Sequence, residues 1–368
     1  MNMRAWIAGL AVAVALLVFA PAASSAPGSL QVLDSRTVAG FPTSLVFTVE
    51  AEGPSPVTDI RLLYTVDKMN YASVTSEAWA EFDPGTSVSA SWTWDMRYAS
   101  LPPGADITYW WRVADESGSV VESTPQTVSF DDTRFDWRSR SVGDVTLYWY
   151  QGDDAFADEL LAVCSDAIES LATDIGTRVE RPISIFIYGT SADMRAAMVY
   201  PQEWTGGVAF TDYSIIAIGI GPGDLEWGRR ALRHELTHLV VHTATFSPYG
   251  HLPTWLDEGL AMHNEGESEQ AFESILLEAA ERDVLLSLRT ISGPFSSNPA
   301  LAYLSYAESH SVVEYILAEY GGESMYELLM LLKGGETNDD ALMASIGVDM
   351  DTLEVGWRSY VEEQLAQA

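Results

Sequence analysis

Residues 231–241 read Ala-Leu-Arg-His-Glu-Leu-Thr-His-Leu-Val-Val. On a helix, His234 and His238 stand one turn apart on the same face, so both imidazoles can turn toward one cation. Glu235 lies on the flank where a carboxylate would meet a water held by that cation. Such a set is suited to hydrolysis, in which the ion polarises the bond under attack and the carboxylate takes the proton. The chain has six histidines in 368 residues, so the five-residue pattern would arise by chance in on the order of one chain in a hundred. Its apolar flanks suit a buried helix.

A hydrolytic zinc normally has three protein ligands and one position left for water. His242 continues the spacing, but at about 1.5 Å per residue it lies about 12 Å along the axis from His234, too far to share an ion with both earlier histidines. Further on, Pro253-Thr254-Trp255-Leu256-Asp257-Glu258-Gly259 reads as the opening of a second helix. A carboxylate from such a helix can complete a tetrahedron that two helical imidazoles begin, and Glu258 is the candidate.

These helices need a scaffold, and the chain has two rhythms. From Ser29 to Phe130, short alternating runs such as Ser44–Val49, Ile60–Val66, Ser87–Trp94 and Ile107–Val113 are separated by turn formers. The spacing predicts an all-β sandwich over residues 27–135. From residue 136 onward the pattern turns to strands alternating with helices and then to helices almost alone. Strands are expected at Val145–Tyr150, Ile183–Tyr188, Gly207–Phe210 and Ser214–Ile220, and helices at Asp154–Ile175 and Ser191–Val199. Helical periodicity dominates from Leu225, broken at Gly250, near Gly293-Pro294, at Gly321-Gly322 and at Gly334-Gly335. The second unit, 136–368, is thus an α+β domain with a small mixed sheet and a helical half.

Composition narrows the partners. The chain carries 53 acidic against 19 basic residues, a formal net charge of -34, which repels phosphate backbones and excludes nucleic acid as a partner. Residues 1–26 have the form of a secretory signal peptide: a basic start, an apolar run from Ala5 to Ala20, and small residues at Ala22-Ala23-Ser24-Ser25-Ala26. An uncleaved membrane anchor is the alternative for the same run. The expected mature protein is secreted or held in the cell envelope, with no stable membrane span after cleavage. The single Cys164 sits in an apolar run and reads as an inert core thiol.

The pair His-Glu-x-x-His and a Trp-x-x-Glu-Gly segment some twenty residues on resembles the gluzincin zinc metallopeptidases, and more closely the bacterial "peptidase MA-like" proteins. The likeness runs from Val145 to Val361 and includes Arg181–Tyr188, Trp204–Ala209 and Tyr306–Tyr315 as supporting segments. It implies one Zn²⁺ per chain held by His234, His238 and Glu258, with Glu235 as general base and a peptide or protein as substrate. It also implies a hydroxyl donor to the oxyanion, for which Tyr306 matches the position, with Tyr303 and His310 as rivals. Asp257 would orient a ligand histidine. Metzincins place a Gly and a third His where this chain has Val241 and Ala244. Thermolysin-like enzymes have an Asp where it has Met262.

The resemblance further implies that Gly206–Phe210 forms an edge strand above the metal, able to pair with an extended peptide. Aminopeptidases of this clan carry there a Glu that anchors the free amine; here that position is Ala209, which favours endopeptidase action. A different class of function also fits the residues: a non-catalytic envelope or adhesion protein that keeps the zinc fold for binding. The β-sandwich, residues 27–130, could add a glycan or envelope contact.

Overall fold

A computed structural model of the protein describes residues 28–200, 206–266 and 270–367. The expected signal segment, together with Trp204 and Thr205, lies outside the described residues.

The N-terminal region is sheet-rich. Strands β1 (Gln31–Gly40), β2 (Ser44–Val66), β3 (Ser76–Trp79), β4 (Gly85–Asp95), β5 (Ala105–Asp115), β6 (Val120–Glu122) and β7 (Gln126–Phe130) join through antiparallel pairings into one hydrogen-bonded network. Its organiser is β2. The first half of β2 pairs with β1 and β4, and the second half pairs with β3 and β5. The two runs predicted at Ser44–Val49 and Ile60–Val66 are therefore one 23-residue strand. Between them, Gly53-Pro54-Ser55-Pro56 reads as a break in sequence, and the structure turns it into a register shift: Glu52 faces Ser87, and the next partner pair is Val57 with Gly85. Prolines, which cannot donate to a ladder, fit such an irregularity. Alternation along β5 is strict, buried residues taking every second position, and Leu45, Phe47, Ile60, Leu62, Trp111 and Phe130 fill the core beneath.

The second region begins with the hairpin β8 (Arg138–Val142) and β9 (Val145–Trp149), followed by α1 (Asp154–Asp174), β10 (Ile183–Tyr188), α2 (Ser191–Arg195), β11 (Gly207–Phe210) and β12 (Ile215–Gly219). The five strands order as β11-β12-β10-β9-β8. β9, β10 and β12 run parallel, while β8 and β11 are antiparallel additions, so the sheet is mixed and β11 is an edge. Asp153 caps α1 by accepting from the backbone N–H of Phe156.

Helices follow: α3 (Leu225–Ala244), α4 (Thr254–Asn264), α5 (Gln270–Glu281), α6 (Leu288–Ile291), α7 (Pro299–Lys333), α8 (Asn338–Ile346) and α9 (Met350–Gln367). One core unites the sheet and these helices, with Leu232, Leu236, Leu239 and Val240 of α3 against Trp255, Leu256 and Leu260 of α4 and Val312, Val313 and Ile316 of α7. The predicted break at Gly321 is a kink inside α7, where φ is 81° and ψ 168°. Among the described residues no helix is long and apolar enough to cross a membrane.

The two regions meet around residues 67–71. Tyr71 stacks on Phe246, centroids 4.3 Å apart, and its hydroxyl donates to the Ser247 carbonyl. Met69 N–H donates to the Asp212 carbonyl, and Arg181 pairs with Asp67.

Candidate metal centre

Helix α3 presents its apolar side to the core and a polar strip, His234-His238-His242, to α4. Burial of the strip is what gives it force, since a polar group removed from water must find a partner. His234 and His238 converge: their Nε2 atoms are 3.1 Å apart. Glu258 Oε2, arriving from the first turns of α4, lies 3.4 Å from His234 Nε2 and 3.6 Å from His238 Nε2. That oxygen is buried and has no hydrogen-bond partner among the described residues.

Three electron-rich atoms at these separations repel one another unless a metal ion or a proton lies among them. Metal–ligand bonds of about 2.0–2.1 Å in a tetrahedron require donor-to-donor edges of roughly 3.3 Å, close to the three distances observed. Two nitrogens and one carboxylate oxygen suit zinc. The residues present therefore fit such an ion, and His234, His238 and Glu258 form a group that could hold one.

Each imidazole is also gripped from behind. His234 Nδ1 is 2.7 Å from Glu265 Oε1, and His238 Nδ1 is 3.0 Å from Asp257 Oδ1. Asp257 thus sits where the sequence placed it. Glu265 follows Glu258 by two helical turns and so shares its face of α4, a relation that spacing alone does not mark as functional. A carboxylate on Nδ1 fixes both the ring plane and the tautomer that leaves Nε2 free to ligate.

The charge balance follows from these contacts. Burial, the largest influence on His234, would lower its pKa, but the neighbouring carboxylates of Glu258 and Glu265 outweigh it and hold the group at about 9. Burial acts upward on Glu258, and the two histidines overcome it, bringing the carboxyl down to about 2. The Glu235 carboxyl moves the other way, raised by burial against the opposing pull of His234 and His238.

The Glu235 side chain reaches β11. A Cβ on Gly207 would stand 2.9 Å from Glu235 Oε1, so the strand passes close over this side chain, and the Ala209 N–H hydrogen-bonds the carboxylate. Tyr306 on α7 lies near enough for Glu258, Glu235, Asp257 and Glu265 to act on its phenol. Burial first, and then those charges, keep it protonated well beyond the ordinary range. Its ring packs edge-on against Phe295 at 5.1 Å. The alternatives stand elsewhere: Tyr303 is 55% exposed against Phe272, and His310 faces Glu314 at 3.5 Å.

Packing brings these helices together. A Cβ on Gly259 would lie 2.4 Å from the Ser309 carbonyl oxygen, so α4 and α7 touch backbone to backbone at that crossing. Asn264, buried at the end of α4, donates to Thr237 on α3 at 2.7 Å, and Arg233 reaches the Asn264 carbonyl. These braces hold the two ligand-bearing helices in register.

A mixed sheet roofing a helix pair that aims two imidazoles and a carboxylate at one point, with a further carboxylate under an edge strand, defines a metal-dependent hydrolase type of site. The chain belongs to the Peptidase MA superfamily, whose profile matches residues 163–363. No curated protein matches it. Among solved structures it is similar to an M1 zinc metallopeptidase variant from Deinococcus radiodurans, at 12% identity and a TM-score of 0.39 over 90% of this chain and 94% of that one. It is also similar to aminopeptidase A of Legionella pneumophila in complex with aspartic acid, at 10% identity and a TM-score of 0.39, over 91% of this chain and half of that one.

Proposed function

We propose that the protein is a zinc-dependent endopeptidase in which His234, His238 and Glu258 hold one Zn²⁺, Glu235 is the general base and Tyr306 donates to the oxyanion. The observation that carries this reading is the convergence of two Nε2 atoms, 3.1 Å apart, on the unpartnered Glu258 Oε2. Zinc, when bound, supplies Lewis acidity, which eases loss of a proton from water and polarises the scissile carbonyl.

The chain's own groups do the rest. Glu235, buried and steadied by the Ala209 N–H, accepts the proton of the attacking water and returns it to the leaving nitrogen. Tyr306, protonated throughout the working range, offers its O–H to the carbonyl oxygen as negative charge develops there. The free edge of β11 presents backbone groups to an extended substrate beside Glu235. Ala209 supplies no carboxylate to hold a terminal amine, which favours cleavage within a chain.

Three further parts of the reading concern the whole protein. Residues 1–26 direct export, so the substrate is met in the cell envelope or outside the cell. Residues 27–135 form an immunoglobulin-like sandwich, supported by the strict alternation of β5, and residues 136–368 form a gluzincin-like peptidase domain.

Metal analysis of purified protein, combined with peptide cleavage by the wild type and Glu235→Gln, tests the proposal. One zinc per chain and cleavage that collapses in the variant are expected. Bound zinc with no cleavage across a broad peptide library would leave a binding protein on a peptidase fold, and cleavage that survives in Glu235→Gln would remove the mechanism.

A further inference from the structure

His238 belongs to two clusters at once. Its Nε2 faces His234 and Glu258. Its Nδ1 lies 3.0 Å from Asp257 Oδ1, and the other oxygen of Asp257 is 2.9 Å from His242 Nε2. The ligand atoms of His238, His242 and Asp257 lie within 4.8 Å of one another, so this trio resembles a second cation site.

A property of the ring decides against that. Neutral imidazole has one lone pair and one N–H. When the Nε2 lone pair serves the first cluster, Nδ1 carries the proton and donates it to Asp257, leaving nothing for a second ion. Asp257 then accepts two bonds, one on each oxygen, from rings on the same face of α3. A carboxylate held at both oxygens cannot turn, whereas one held at a single oxygen rotates freely about its broad terminal torsion.

His242 closes this chain at its outer end. The ring lines a largely enclosed cavity of about 40 Å³ shared with Met69, Tyr71, Asp212 and His251, room for a few waters. Tyr71 of the N-terminal region covers it through its stack on Phe246.

We propose that His242 is a positioning residue: through Asp257 it locks the proton of His238 on Nδ1 and keeps Nε2 aimed at the point shared with His234 and Glu258. The inference rests on the zinc reading above. It gives the third histidine of the strip a task that its distance from the ion denied it as a ligand.

Zinc affinity, measured on the full chain by competition with a chelator, tests this. His242→Ala and His242→Asn, neither of which reaches Asp257, are expected to weaken zinc about 10- to 100-fold. His242→Gln, which keeps an N–H donor at similar reach, is expected to stay within about twofold of wild type. In Co²⁺-loaded protein the visible absorption bands should shift in the Asn variant and not in the Gln variant, a signature that general loosening of the core would not produce. Should the Ala variant fail to fold, the Asn and Gln pair carries the test. Wild-type affinity in Ala or Asn, or a loss in Gln as large as in Asn, overturns the proposal. A wild-type chain that binds no zinc would instead remove the reading on which it rests.

Discussion

Two clusters of imidazoles and carboxylates lie on α4 and its neighbours, and they differ in one respect. Around His234 and His238, each Nδ1 meets a carboxylate while the two Nε2 atoms face each other at 3.1 Å. Around His263, by contrast, the ring nitrogens reach carboxylates on two different helices, Nδ1 bonding Glu314 of α7 and Nε2 lying 3.7 Å from Asp174 of α1. Glu314 also faces His310, so this second cluster is an alternating row of rings and carboxylates. Residue types are the same in both. Convergence of unshared lone pairs, rather than the presence of His and Glu, separates a place for an ion from an ion-pair strut between α1, α4 and α7.

The largest effect should come from breaking the convergence. His238→Ala is expected to reduce zinc from one per chain to near none and to abolish cleavage, while His263→Ala retains its zinc; elemental analysis of both decides. Next, Glu235→Gln should keep the metal and lower peptide turnover by about 10²- to 10⁴-fold. Tyr306→Phe should lower kcat by about 10²-fold with zinc content unchanged, since only the charge-developing step loses a donor. A drop in zinc in that variant would place Tyr306 in the scaffold instead.

A smaller effect is expected from protons. In metal-free protein, His234 at about 9 and Glu308 at about 8 both bind protons more tightly when folded than at their ordinary values of 6.5 and 4.5. For His234 the gain comes from the carboxylates that outweigh burial; for Glu308 it comes from burial. Their stabilisation is complete below the ordinary value and is lost as pH rises through the folded value. Thermal midpoints of the metal-free protein should therefore fall from pH 6.5 to 9. Glu308→Gln should remove part of the slope and saturating zinc most of the remainder; an unchanged slope with zinc would detach His234 from the ion. Smallest of all, His263→Gln should cost about 1 kcal/mol in urea unfolding and leave zinc affinity alone.

Much of the site was legible because helical spacing converts directly into geometry. The i, i+4 histidines required only that Ala231–Val241 be helical, and α3 spans Leu225–Ala244. Strand β10 falls at its predicted bounds because the run Ile183–Tyr188 is short, apolar and bounded by Pro182 and Gly189. What local spacing does not encode is tertiary. Glu265 looks like any solvated acid until α3 and α4 are docked, and the pairing of His242 with Asp257 depends on their crossing. In the N-terminal region, Gly53–Pro56 carries the local signature of a turn, and only the partners supplied by β4 and β5 show that the strand continues past it.

Gly259, where α4 meets the Ser309 carbonyl, reaches beyond packing. Tyr306 is one helical turn before Ser309, so the thickness of that contact is the ruler that sets how far the phenol stands from the carboxylates of α4. A single methyl inserted there acts as a shim: it would wedge the two rods apart, leave every named group intact, and detune the spacing between them.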